Sequence, residues 1–377
     1  MRIVYTLTTI KDNGGVQRIV LDKCNYLVAH GYEIHIIYFG TKEDKPEFYV
    51  DPAVRFHAID EPAMAGSMAS KLKCLIHSVG KYKRLIREIK PDIVDNANSV
   101  ILSWIIPFVT PSNVKCITEL HQSYDGVLIF NKDNYGENSL RSRFLMFLRR
   151  YIYPKYDKMV VLTKEDQRKW KLNNCITIPN FTNIKAEKEI DYNTKNVIWV
   201  GRLTHQKGVD LLIQLLDNVL AKSTGWKFTI IGDGKGAYKD GLLSFIDKHQ
   251  EQINYVSGTN KIATYYSQAS IYLSTSRFEG LPLSLIEAAT VGLPIVGFQI
   301  TGNDQIVTDG HNGYLCQPFD VQKLSDKLLS MMNNIELRQK MGLSGKHLAR
   351  SFNKDVVMGQ WINLFKSITN KICHNSK

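Results

Sequence analysis

Phe278-Glu279-Gly280-Leu281-Pro282-Leu283-Ser284-Leu285-Ile286-Glu287-Ala288-Ala289-Thr290-Val291-Gly292 is the stretch whose reading decides the fold. Two carboxylates, Glu279 and Glu287, bracket seven mostly apolar residues. Pro282 suits the first turn of a helix, where its missing N–H has no intrahelical partner to lose. The run Leu283–Val291 predicts that helix, with Gly292 as its C-terminal cap. Glu279 then stands in the loop before the helix and Glu287 about one turn inside it. The free N–H groups of the first turn make a site suited to a polyol or an anion. Two glutamates eight apart are commonplace by themselves. The context adds weight, because an apolar strand precedes (Ile271–Ser274) and another follows (293–297). Strand, loop, helix and strand make a βαβ unit, and ligands bind at the carboxyl ends of its strands.

The same rhythm extends in both directions. Upstream, 196–200 reads as a strand, 201–208 as a loop and 209–220 as a helix. A strand over 227–231 leads into Gly232-Asp233-Gly234-Lys235-Gly236, followed by a helix over 238–249, a strand over 253–256 and a helix over 261–268. Downstream come a small strand, Gly313–Cys316, and helices over 320–334, 336–350 and 355–371. The polar segment 182–195 reads as a linker, and before it the pattern repeats. Strands are expected at 2–7, 33–39, 54–59, 92–95, 114–120 and 157–162. A helix carrying Val16, Val20, Cys24, Leu27 and Val28 on one face follows Gly14-Gly15, and Gly31 closes it. The Gly-Gly pair reads either as a close approach of backbone to a ligand or as a plain tight turn. His121, at the end of its strand, reads equally as a cleft-facing or a structural histidine. The class is α/β, with two doubly wound halves facing across a cleft: a first domain, 1–181, and a second, 196–354.

The totals narrow the setting. The 377 residues suit two domains, and the net charge of +12 with a pI near 9.2 admits an anionic partner. No nucleic-acid motif accompanies that charge. The six cysteines form no C-x-x-C pair, which reads as reduced thiols in a cytosolic protein. The opening residues read as a strand rather than a signal peptide. The longest apolar run, 100–109, is broken by Ser103 and Pro107 and is far short of the ~20 residues a membrane span needs. Two basic helices, 71–89 and 139–152, stand out. In the second, Leu140, Phe144, Leu148 and Ile152 share a face at i, i+4 spacing. That face packs on the core, or the helix lies at an anionic lipid surface.

Gly201-Arg202-Leu203-Thr204-His205-Gln206-Lys207-Gly208 sets a planar guanidinium and a compact ammonium in one strand-end loop, a suitable pair for a diphosphate. With these residues the sequence resembles family 4 glycosyltransferases, nucleotide-sugar enzymes of the GT-B fold. The resemblance spans nearly the whole chain. It is carried by Gly14-Gly15-Val16-Gln17-Arg18, Ile178-Pro179-Asn180, Gly201-Arg202 with Lys207-Gly208, Ile230-Ile231-Gly232-Asp233-Gly234, Glu279 with Glu287, and Asp309-Gly310-His311-Asn312-Gly313-Tyr314-Leu315.

The resemblance implies a retaining transfer of a hexose-type sugar, UDP-sugar favoured, to an acceptor hydroxyl in surface polysaccharide or glycolipid synthesis. Arg202 and Lys207 match the pair that holds the diphosphate, Glu287 the ribose contact and Glu279 the acid at the donor sugar. N–H groups of Gly280, Leu281 and Leu283 surround the sugar and phosphate. Gly14 and Gly15 match the glycine loop that closes on the diphosphate, and His121 the histidine near the donor sugar. Gly201, Gly232, Asp233, Gly234 and Val256 line the donor and base pocket. The last helix, with 355–377, crosses back to the first domain. Acceptor choice falls to first-domain loops such as 131–137.

No two aspartates stand two apart, so an Asp-x-Asp metal site is missing. No cofactor is expected, and Arg202, Lys207 and helix N-termini are expected to neutralise the leaving group without metal. One departure is Gln305, where relatives carry an acid. The partners implied are a nucleotide-sugar, a glycan or lipid-linked acceptor, and peripheral contact with anionic membrane on the cytoplasmic side, with no nucleic acid. Three alternatives stay open: a related-fold epimerase or phosphorylase, a dinucleotide-binding oxidoreductase, for which the G-x-G-x-G spacing is weak support, and a basic non-enzyme scaffold.

Overall fold

The computed structural model describes residues 1–11, 14–59, 68–98, 102–136 and 139–374. They divide into two compact units, Met1–Pro179 with Asp355–Lys377, and Asn180–Lys354. Both are doubly wound parallel sheets.

In unit 1 the strands are β1 (Arg2–Leu7), β2 (Glu33–Phe39), β3 (Arg55–Ile59), β4 (Ile93–Asn98), β5 (Lys115–Leu120), β6 (Lys158–Val161) and β7 (Cys175–Thr177). They run in the order β3-β2-β1-β4-β5-β6-β7, every neighbouring pair parallel. The direction of winding reverses between β1 and β4. The helices are α1 (Gly15–Ala29), α2 (Met68–Ile89), α3 (Ile106–Val109), α4 (Tyr124–Tyr135), α5 (Leu140–Ile152) and α6 (Lys164–Trp170).

Unit 2 holds β8 (Asn196–Val200), β9 (Lys227–Ile231), β10 (Ile253–Val256), β11 (Ile271–Ser274), β12 (Ile295–Phe298) and β13 (Gly313–Cys316). Their order is β10-β9-β8-β11-β12-β13, again parallel throughout. The reversal here falls between β8 and β11, the two strands whose following loops carry Arg202, Lys207 and Glu279. The helices are α7 (Val209–Val219), α8 (Ala237–Asp247), α9 (Ile262–Ser267), α10 (Leu283–Val291), α11 (Val321–Met332) and α12 (Ile335–Leu348), and α13 (Lys354–His374) returns to unit 1.

The sequence explains why these elements form. Strands buried on both faces read as near-continuous apolar runs; β11 and β12 are buried along their whole length. α7 is amphipathic, and its Val209, Leu212, Leu215, Leu216 and Val219 are buried in a core with Trp199, Phe228 and Ile230. Each such aliphatic side chain contributes about 1.5–3 kcal/mol. α10 begins and ends where the reading placed it, although Pro282 is the residue before the helix rather than its first turn (φ −72°, ψ 120°).

Three expectations are corrected. The segment 182–195 is no free linker: the Tyr192 hydroxyl donates to the Gly292 carbonyl (2.8 Å), and the buried Arg338 guanidinium donates twice to the Tyr192 carbonyl (3.1 and 2.8 Å). Its polar composition concealed an aromatic anchor. The stretch 131–137 is no loop over 131–135, which is the last turn of α4, capped by Ser123 at its start; 137 lies outside the described residues. In α5, Leu140 and Phe144 turn outward, while Leu148 and Ile152 meet the core.

Candidate active site

The two strand-end loops at the reversal in unit 2 are fastened to one another. Arg277 makes a bidentate pair with Asp210 (2.7 and 2.6 Å) and donates to the His205 carbonyl (3.0 Å). Its backbone N–H donates to the Gln206 carbonyl (2.8 Å). Thr275 accepts from the Trp199 indole (3.0 Å) and donates to the Lys207 carbonyl (2.9 Å). Gly208 sits at φ +64°, where a Cβ would come 2.1 Å from the Thr275 carbonyl oxygen. Only glycine allows this approach of backbone to backbone.

That fastening brings the charged side chains together. Lys207 Nζ lies 2.5 Å from Glu279 Oε1, with side chains 15 % and 8 % exposed. Gln206 links them to Arg202: its amide donates to the Phe278 carbonyl (3.2 Å) and reaches Glu279 Oε2 (3.5 Å), while its oxygen accepts from Arg202 Nη2 (3.2 Å). Arg202 and Lys207 stand at the two ends of this chain with the Glu279 carboxylate between them, a set suited to a ligand that carries both a diphosphate and hydroxyls.

Glu287 is buried in α10 and accepts from the Tyr266 hydroxyl (3.2 Å). The loop Gly280–Leu281 is held from below, because the buried Asn180 donates to the Leu281 carbonyl (2.9 Å). This gives Ile178-Pro179-Asn180 a physical role. The Asp309–Leu315 stretch is likewise a built turn: Asn312 accepts from the Thr308 N–H (2.6 Å) and donates to the Ile306 carbonyl (2.8 Å). Gln305 is exposed, and its amide reaches Asp304 (3.4 Å).

The glycine loop after β9 packs on the same edge. Gly232 donates to the Val256 carbonyl (2.9 Å), and Leu203 donates to Asp233 (2.9 Å). At Gly232, φ +155°, a Cβ would fall 1.8 Å from the Gly201 carbonyl oxygen. Gly201, Gly232, Gly234 and Val256 therefore form one surface. Asp233 faces away toward Lys239 (2.7 Å), and that hydrogen bond holds its carboxyl below the usual range.

Unit 1 places the remaining candidates. Gly14 precedes α1 and Gly15 is its first residue, so the pair stands at a helix N-terminus, after residues 12 and 13, which are not described. His121 follows β5 with its ring largely buried, Nε2 3.4 Å from Glu119 Oε2. Beneath it lies a charge cluster that the sequence reading missed. Lys23 pairs with Glu119, both buried, and its ammonium lies over the rings of Trp361 (4.0 Å) and Tyr5 (5.2 Å). Asp95 is fully buried beside them. Burial would raise both acids. In Glu119 the Lys23 charge and His121 outweigh it and bring the carboxyl to about 2. In Asp95 burial and the Glu119 carboxylate act together, so it keeps its proton well above the ordinary range.

The missed residues had faint signals. Gln206 lies inside the quoted loop, Tyr266 one helix upstream, and the acids Asp95 and Glu119 within otherwise apolar strands.

Comparison with known proteins bears on the family and the fold. Residues 13–185 match the family model described as Glycosyltransferase Family 4, and 180–348 the one described as Glycosyl transferases group 1. An uncharacterized glycosyltransferase of Haemophilus influenzae is 27 % identical over 96 % of this chain and 98 % of its own. The amylovoran biosynthesis glycosyltransferase AmsD of Erwinia amylovora is 24 % identical over 96 % and 98 %. Among solved structures, sucrose-phosphate synthase from Thermosynechococcus elongatus superposes with a TM-score of 0.82 at 16 % identity, over 98 % of this chain and 100 % of that one. Anabaena Alr3699/HepE in complex with UDP-glucose does so at 0.73 and 15 %, over 97 % and 100 %. These two share the GT-B fold with the chain.

Proposed function

Since this chain belongs to glycosyltransferase family 4, we propose that it moves a hexose-type sugar from a nucleotide donor, a UDP-sugar first, to an acceptor hydroxyl with retention of configuration. The observation that carries the reading is the chain Arg202–Gln206–Glu279–Lys207 set across two loops at the sheet's reversal point. The preference for UDP leans on the Anabaena neighbour, and a place in surface polysaccharide or glycolipid synthesis leans on the Erwinia relative.

Departure of the nucleoside diphosphate builds negative charge on its β-phosphate. Arg202 offers a fork of donors and Lys207 a point charge, and both are fixed before the reaction begins. The diphosphate takes over Lys207 from Glu279, which frees that carboxylate to accept from a sugar hydroxyl. Glu287, oriented by Tyr266, accepts from the ribose. In unit 1, Gly14 and Gly15 at the start of α1 are candidates for a diphosphate contact and His121 for a sugar contact. The leaving phosphate takes the acceptor's proton as the acceptor attacks on the same face. A glycosyl-Glu279 adduct trapped and detected by mass spectrometry would refute that step. Arg202 and Lys207 carry the charge without a metal ion, so turnover persists in excess chelator; its loss there overturns the assignment.

Thermal stabilisation by UDP, GDP, ADP and their sugars tests the donor reading. A ligand at ~100 times its Kd adds ~2.7 kcal/mol. A shift from one base family that Glu287→Ala abolishes supports the reading, and no shift from any nucleotide removes it.

A further inference from the structure

Two ion pairs tie the strand-end loops of unit 2 to one another. One is Lys207–Glu279. The other, Arg277–Asp210, spans the same two loops from outside: Arg277 stands two residues before Glu279, and Asp210 three residues after Lys207. Each Asp210 oxygen accepts one bond, from Nη1 at 2.7 Å and from Nη2 at 2.6 Å, the parallel geometry of a guanidinium fork on a carboxylate. Nη1 donates again to the His205 carbonyl (3.0 Å), and the guanidinium lies over the Phe319 ring, 6.0 Å from its centre. Asp210 is held on a rigid element. It sits in the first turn of α7, between Val209 and Leu211, both buried in the unit 2 core. A helix N-terminus favours a carboxylate there, and the bond from Arg277 holds the Asp210 carboxyl below the usual range.

The two arginines of these loops are therefore set up differently. Arg202 is exposed, and its side-chain bond among the described residues is the 3.2 Å contact with Gln206. Most of its donors stay open to a ligand. Arg277 makes three bonds to protein oxygens, and its side chain is 17 % exposed. Arg202 is placed to meet a ligand, and Arg277 to hold the loops that carry it.

We propose that Arg277 is a positioning residue: with Asp210 it keeps the two loops in register once a donor diphosphate has drawn Lys207 away from Glu279. This rests on the donor reading above, in which the Lys207–Glu279 tie is given up on binding. In the free protein either pair holds the loops. In the bound state Arg277–Asp210 is the charged tie that remains, alongside the Thr275 bond to the Lys207 carbonyl (2.9 Å) and the Arg277 N–H bond to the Gln206 carbonyl (2.8 Å). Without the fork, binding must order loops that are ordered beforehand in the wild type, and affinity falls by that cost.

Melting temperatures without ligand, and calorimetric titration with UDP, GDP and ADP, test this on Arg277→Gln and Asp210→Asn. Each variant should melt within ~3 °C of wild type when free, because Lys207–Glu279 still ties the loops. Each should bind the nucleoside diphosphate that the wild type prefers about tenfold or more weakly, and Arg277→Lys, which keeps the charge and loses the fork, should fall between. Combining Arg277→Gln with Lys207→Ala removes both ties, so the free double variant should melt lower than the two single shifts added together predict. Asp210→Asn carries the same readings if Arg277→Gln folds poorly. Wild-type affinity in both variants overturns the proposal, as do melting shifts that simply add. So does a loss of stability in the free single variants as large as the loss in their complexes, which would make the pair structural only. A wild type that binds none of the three diphosphates removes the donor reading and this proposal with it. A wild type that binds, with variants equal to it, removes this proposal alone.

Discussion

Two lysine–glutamate pairs, one in each unit, sit in opposite surroundings. Lys207–Glu279 joins two loops, with side chains 15 % and 8 % exposed, and Gln206 and Arg202 within reach. Lys23–Glu119 joins α1 to β5, with side chains 2 % and 3 % exposed, roofed by Trp361 and backed by a second acid, Asp95. The chemistry of the pair is the same, and its surroundings decide the role. In unit 2 the pair keeps partial exposure at the strand ends, where the proposed donor would take it over. In unit 1 both side chains are buried, and the pair is part of the core.

The sharpest way to break this contrast is Lys23→Met. Leaving Glu119 charged and alone should cost about 3–5 kcal/mol of stability in urea unfolding, and adding Glu119→Leu should restore most of it. A loss below about 1 kcal/mol would put the unit 1 pair with ordinary surface pairs. Lys207→Ala should do the reverse. Its kcat should fall ~10²–10³-fold, about 2.7–4 kcal/mol of barrier, while unfolding stability falls by less than in Lys23→Met, because this pair keeps more exposure and Gln206 stays beside Glu279. Equal losses of stability in the two variants would erase the distinction.

The two buried acids sharpen it through pH. Glu119 titrates at about 2 in the folded chain, below its unfolded value. It therefore contributes stability above ~4.3, which is lost as pH falls through about 2. Asp95 is raised, so the folded chain holds a proton that the unfolded chain releases. Stability falls as pH rises from ~3.9 toward its folded value. Asp95→Asn should flatten that upper slope and spare the acid one. Urea midpoints that decline with pH as steeply in the variant as in wild type would remove Asp95 from the account. The smallest effect is expected at Tyr266→Phe, where loss of one hydrogen bond to Glu287 should weaken nucleotide binding by about 1 kcal/mol, some fivefold, in calorimetric titration.

The fold of unit 2 was legible because each strand is a short apolar run ended by glycine or a polar loop. β8, β9, β10, β11 and β13 lie where the alternation put them. The strand-end loops that carry the candidate site residues were legible for the same reason, since they follow apolar strands. What stayed hidden depends on distant partners. Lys23 and Glu119 are 96 residues apart, and nothing in either neighbourhood names the other. A cation at 23 beside the apolar face of α1, and acids inside β4 and β5, were the only trace. α5 misled because it is apolar on two strips. Spacing of four selects Leu140, Phe144, Leu148 and Ile152, but the structure splits that set between core and solvent. The anchoring of Tyr192 by Arg338 is likewise a long-range pairing that composition cannot reveal.

The return of α13 to unit 1 gives the chain an order of assembly. Synthesis runs from the amino end, and domains tend to fold as they emerge. Everything in unit 2 has been synthesised before Asp355 is made, whereas unit 1 begins first and is completed last. Lys23 and Glu119 can meet early, but the indole that roofs them arrives only with Trp361, more than 200 residues after Glu119. The nascent first half thus carries an uncovered charge pair through most of translation, and a chain that stops before Trp361 keeps it uncovered.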